Sequence, residues 1–103
     1  MADLAVNRPI VRAPTHPGEL MREILDDYVS LPVVDAANRM KVSPPTLDAV
    51  LNGAEPVTAE MALRFGRLTG GAPELYVQMQ AHFDLWTARQ RLKDTLADIE
   101  PAA

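Results

Sequence analysis

From Leu20 onward, apolar residues return every three or four positions. Leu20, Met21, Ile24, Leu25 and Tyr28 form one stripe, the spacing of a helix with a single buried face. His16-Pro17-Gly18-Glu19 opens that helix, with Pro in the first turn, where its missing N–H costs nothing. The chain restarts at Ser30-Leu31-Pro32, and Val33, Ala37 and Met40 predict a short second helix ending near Lys41. Ser43 followed by Pro44 signals the start of a third helix with Leu47, Val50 and Leu51 inward, and Asn52-Gly53 ends it. Thr58 caps a fourth, in which Met61, Phe65 and Leu68 face the core and Gly70-Gly71 is the stop. From Pro73 to about Ile99 the pattern predicts one long helix with two apolar rows. Tyr76, Met79, Phe83 and Trp86 make the first row; Leu85, Leu92, Leu96 and Ile99 make the second.

Five helices and no strand pattern give an all-α chain. Its 103 residues suit one domain. Residues 1–15 carry Pro9 and Pro14 without a sustained period and are expected to form a mobile arm on which Arg8 and Arg12 are solvated; 16–100 form the domain and 101–103 a tail. The two apolar rows of the last helix allow two outcomes: both close the monomer core, or one is left for a second copy across a two-fold axis, with Tyr76, Met79, Phe83, Trp86 and Leu92 as the dimerisation residues.

Composition narrows the chemistry. There is no Cys, and His16 and His82 are too far apart for a local metal motif, so no metal or cofactor is expected. The first residues lack the pattern of a signal peptide, and no apolar run is long enough to span a bilayer, so a cytoplasmic protein without a membrane role is expected. Glu19 and Glu23 stand one turn apart, but no nucleophile or phosphate-cradling loop accompanies them; the expectation is a non-enzyme with a solvated acidic face. The net charge of −4 opposes indiscriminate nucleic-acid binding. Its distribution is uneven: Gly18 to Tyr28 holds Glu19, Glu23, Asp26 and Asp27 against Arg22 alone, whereas Leu31 to Gly71 balances Arg39, Lys41, Arg64 and Arg67 against four acids.

Helices two and three are joined by only Lys41-Val42-Ser43, and Ala37 is the small residue that would let them cross closely, with Val42 and Leu47 plugging the crossing. This is the spacing of a helix-turn-helix, which presents its second helix to a major groove. An ordinary bundle corner has the same spacing.

The run His16-Pro17-Gly18-Glu19-Leu20, then Val42-Ser43 and Leu47 through Leu51-Asn52-Gly53, then Pro56-Val57-Thr58-Ala59-Glu60-Met61-Ala62-Leu63-Arg64, resembles the HigA family, also called VapI-like. Its members are the antitoxins of HigBA toxin–antitoxin modules. The resemblance continues through Tyr76 to Arg91 and covers nearly everything after residue 15. It implies a five-helix, phage-repressor-like helix-turn-helix domain with a long C-terminal helix, a homodimer that binds duplex operator DNA and represses its own operon, and neutralisation of a HigB-like toxin that cleaves mRNA.

Two departures from the family pattern bear on mechanism. Lys41 stands where Gly is usual in the turn, and a side chain at positive φ there costs on the order of 1 kcal/mol. The exposed start of the third helix reads Ser43-Pro44-Pro45-Thr46 in place of Arg or Gln, and proline has no side-chain donor. Base-facing candidates reduce to Thr46, Ser43 and Asp48, and backbone candidates to Arg39, Lys41, Asn52 and the helix amides. Each has an alternative reading as a cap or a solvated charge. A rival function follows: a toxin-sequestering module of the same fold with weak or no sequence-specific DNA binding.

Overall fold

The computed structural model describes residues 13–103; Arg8, Arg12 and the rest of the expected arm up to residue 12 lie outside them. Helix α1 spans Pro17–Glu23, and His16 caps it, its Nδ1 accepting from the Gly18 N–H at 2.9 Å. A π-helical turn, Ile24–Tyr28, continues it, with the Val29 N–H reaching back to the Ile24 carbonyl. The wider turn inserts a residue into the register. Leu25 stays buried, Val29 packs on the core, and Tyr28, expected on the buried stripe, is turned 82% exposed to solvent.

Helix α2 spans Val33–Met40 and buries Ala36, Ala37 and Met40. It ends on Lys41 in the left-handed conformation, φ 64°, with the Val42 N–H bonded to the Ala37 carbonyl at 3.0 Å and the Lys41 N–H to that of Asn38 at 3.3 Å. That pairing is a Schellman stop built without glycine. Helix α3, Pro44–Leu51, buries Leu47, Val50 and Leu51, and Asn52 then Gly53 at positive φ end it. In α4, Ala59–Thr69, the Thr58 hydroxyl accepts from the Met61 N–H at 3.1 Å, and Gly70 at φ 83° stops the helix.

Helix α5, Pro73–Arg91, buries only Tyr76 and Gln80. Tyr76 meets Phe65 edge-on with ring centroids 5.3 Å apart, and Phe83 meets His16 the same way at 5.1 Å. Gln80 accepts from the buried Val57 N–H at 2.8 Å and donates to Asp84. The single long helix expected to run to Ile99 breaks at Leu92, where φ −98° and ψ 10° leave the helical basin, and a short α6 follows over Lys93–Ala97.

The core lies among α1 to α4, from Met21 and Leu25 through Ala36, Ala37 and Leu47 to Phe65, and is closed by Tyr76. Tyr76 is 2% exposed and packs within its own protomer, so it is not a surface residue for a partner, contrary to expectation. The remaining row residues Met79, Phe83 and Trp86 are half-buried, and Leu85, Leu92, Leu96 and Ile99 are exposed. Both rows therefore do not close the monomer. His82 is solvent-exposed. No helix among the described residues is long and apolar enough to cross a membrane.

Candidate nucleic-acid interface

Capping and crossing place α3. Ala37 and Leu47 are fully buried between α2 and α3, and Val42 in the turn packs against the same core. On the other side, Gly18 lets α1 approach so closely that a Cβ there would collide with the Val50 carbonyl oxygen. The helix is thus held on one side by packed side chains and on the other by close backbone approach, which leaves its outer face free: Pro45, Thr46, Asp48 and Asn52 are all exposed. An exposed helix with a free N-terminal turn is the element that enters a major groove.

Its first turn offers little to base edges. Pro44 and Pro45 carry no donor. Ser43 Oγ accepts from the Thr46 N–H at 3.3 Å and lies 2.6 Å from the Thr46 hydroxyl, so one of the two hydroxyl protons is used between them and one is left for an outside partner. Further along, the Asn52 Nδ2 donates to Asp48 Oδ2 at 3.1 Å, and Arg22 of α1 donates through Nη2 to Asn52 Oδ1 at 2.8 Å, with Asp48 Oδ1 at 3.5 Å. The structure gathers Asp48 and Asn52 with Arg22, a residue that sequence spacing did not single out. Contacts across 26 and 30 residues leave no local periodicity to find them by.

Arg39 and Lys41 are exposed but open onto a different cleft, shared with Leu63, Arg64, Arg67, Leu68 and Pro73. Arg64 is built into its wall: Nη1 donates to the Met40 carbonyl at 2.7 Å and that of Lys41 at 3.3 Å, and Nη2 pairs with Glu60 at 3.1 Å. It satisfies carbonyls left over at the end of α2. Four of the eight Lys and Arg residues among those described line this one cleft. A chain of net charge −4 therefore concentrates positive potential beside its helix-turn-helix, where it can act on a polyanion despite the overall sign. The acids Glu19, Glu23, Asp26 and Asp27 line a separate shallow depression with Arg22 and Leu51. Among the described residues, no cluster of three or more His, Cys, Asp or Glu could hold a metal ion.

Comparisons with known proteins agree with this architecture. No family model matches the chain. It is 30% identical over 95 residues to an uncharacterised HTH-type transcriptional regulator of Haemophilus influenzae, covering 90% of this chain and 89% of that one. It is 33% identical over 75 residues to virulence-associated protein I of Dichelobacter nodosus, covering 73% and 69% respectively. The fold superposes on the Pseudomonas aeruginosa antitoxin HigA, solved with the higBA promoter, with a TM-score of 0.79 at 29% identity over 87% of this chain and 99% of that one.

Proposed function

The chain belongs to the HigA and VapI-like family of helix-turn-helix proteins, and from that membership we infer that it is an antitoxin that binds duplex operator DNA and represses its own operon. It acts by binding alone and carries out no catalysis. The observation behind this reading is α3, capped by Ser43, packed against α2 on one side and closely approached by the α1 backbone on the other, and open along its outer face.

In this reading, residues 16–100 are the folding and binding unit and work in the cytoplasm. Ser43 and Thr46 sit at the groove-entering turn; Pro44 and Pro45 have no N–H to offer there and the Thr46 N–H is bonded to Ser43 Oγ, so the helix dipole, rather than free amides, favours a phosphate at this end. Arg39 and Lys41 bring the flanking positive charge. Asp48 and Asn52 lie on the same face further along. The protein pairs as a homodimer through Met79, Phe83, Trp86 and Leu92, joined by the exposed Leu85, Leu96 and Ile99, and reads two half-sites about one helical turn, roughly 34 Å, apart. Its protein partner is a HigB-like mRNA-cleaving toxin. The acidic face of α1 suits a basic ribonuclease, raising association rate and selectivity more than affinity.

One observation favours the second reading, a toxin-sequestering module that has lost sequence readout: Pro44, Pro45 and the mutually bonded Ser43 and Thr46 hydroxyls leave few free donors at base edges. A titration of the purified protein against its own promoter fragment and a scrambled fragment, at two salt concentrations, separates the two. Preference for the promoter supports the autorepressing antitoxin. Equal or absent binding to both fragments overturns it in favour of the sequestering module.

A further inference from the structure

Asp48 is the only acidic residue in α3 and lies on its outer face, where a bare carboxylate would repel a phosphate. The structure does not leave it bare, because the guanidinium of Arg22 reaches across from α1 to Asp48 and Asn52. We propose that Arg22 contacts a DNA backbone phosphate, and that Asp48 and Asn52 are positioning residues that present its guanidinium on the outer face of α3. The proposal rests on the operator-binding reading given above.

Three observations carry it. Both hydrogen bonds use Nη2, so of the five N–H donors of a guanidinium those on Nε and Nη1 have no described partner, and the side chain is 38% exposed. Asn52 is itself braced on Asp48, which fixes the acceptors that orient the guanidinium plane. The pair with Asp48 is long and half exposed, and such pairs contribute at most about 1 kcal/mol to stability, so stability alone does not explain three side chains converging here. Pro44 and Pro45 meanwhile leave the first turn of α3 without a charged donor, and Arg22 is the guanidinium held against this helix by hydrogen bonds. Glu19 and Glu23 of α1 and Asp26 and Asp27 of the π-helical turn line one depression with Arg22 and repel phosphate there. The proposed phosphate contact is therefore on the α3 side of the guanidinium, where Asp48 and Asn52 hold it.

The test compares operator and scrambled-fragment binding of the wild type, Arg22→Ala and the double variant Arg22→Ala/Asp48→Ala across a salt series, with thermal melts confirming that each variant folds. A phosphate contact predicts that Arg22→Ala weakens binding to both fragments by about tenfold and flattens the log–log salt slope by about 0.9. It further predicts that the double variant stays weak, because removing the carboxylate does not replace the lost donor. Recovery of wild-type affinity in the double variant would show that Arg22 merely neutralises Asp48 and would overturn the proposal. So would a loss confined to the operator with an unchanged slope. If the wild type binds neither fragment, the operator-binding reading itself fails, which is a separate and distinguishable result.

Discussion

Replacing Gly18 with Ala tests the contact that sets α3 in place. On helix propensity alone the change is favourable, by up to about 1 kcal/mol. The tertiary structure reverses the sign. The new Cβ would collide with the Val50 carbonyl oxygen and stand 3.0 Å from that of Leu51 and 3.1 Å from the His16 Nδ1. Two of those neighbours are backbone of α3 and cannot rotate away, so α1 and α3 must separate. Overpacking of this kind costs about 1–3 kcal/mol, and a displaced His16 loses its cap on Gly18, about 1 kcal/mol more. The net expectation is a destabilisation of about 2 kcal/mol, or roughly 8–16 °C in Tm for a domain of this size. Calorimetric or circular-dichroism melting reads it, and operator affinity should fall alongside because α3 has moved. Gly70→Ala is the control: Gly70 is at φ 83° with nothing within 4 Å of the added Cβ. It should lose only about 1 kcal/mol from backbone strain and leave DNA affinity unchanged. A Tm for Gly18→Ala equal to or above the wild type would refute the close approach of α1 and α3.

Lys41→Gly relieves a left-handed residue while the Arg64 bonds to the carbonyls of residues 40 and 41 remain possible; Tm should stay level or rise by about 2–4 °C, and a fall would show that the side chain itself supports the turn. Gln80→Ala strands the buried Val57 N–H and should cost about 1–3 kcal/mol, with faster hydrogen exchange at that amide; an unchanged exchange rate would show that the amide finds another partner. Replacing Pro44 with Arg and Pro45 with Gln supplies donors at the groove-entering turn and should raise promoter affinity by about tenfold; no gain in the titration would move the DNA surface off α3. Burial raises the Tyr76 hydroxyl above the usual tyrosine pKa, partly offset by a hydrogen bond with Thr69. The contribution is therefore complete below about pH 10 and should be lost as pH rises through the raised value, which melts across pH 9–11 of the wild type and Tyr76→Phe would separate.

What short-range chemistry determines was legible along the chain. The starts at His16, Ser43 and Thr58, the stops at Lys41, Gly53 and Gly70, and the inward faces of α2, α3 and α4 all depend on residues within four or five positions of one another, so caps and periodicity disclose them. The helix-turn-helix itself belongs to this class, because its crossing depends on Ala37, Val42 and Leu47 within one short stretch. Tertiary structure decided the rest. A π turn moved Tyr28 off the buried stripe, although the apolar spacing by itself favoured burial. Tyr76 and Phe83 belong to the same row by period, yet Phe65 waits opposite one and His16 opposite the other, so one closes the core while the other is left half-buried. The candidate site divides in the same way. Ser43 and Thr46 were visible as cap and first turn, whereas Arg22 and Arg64 entered only through folding, which brought each guanidinium to partners more than twenty residues away. Local sequence determines where helices begin, end and hide their faces, because those energies are local; the charges brought together on the finished surface depend on how the helices pack, and that is decided by the whole chain at once.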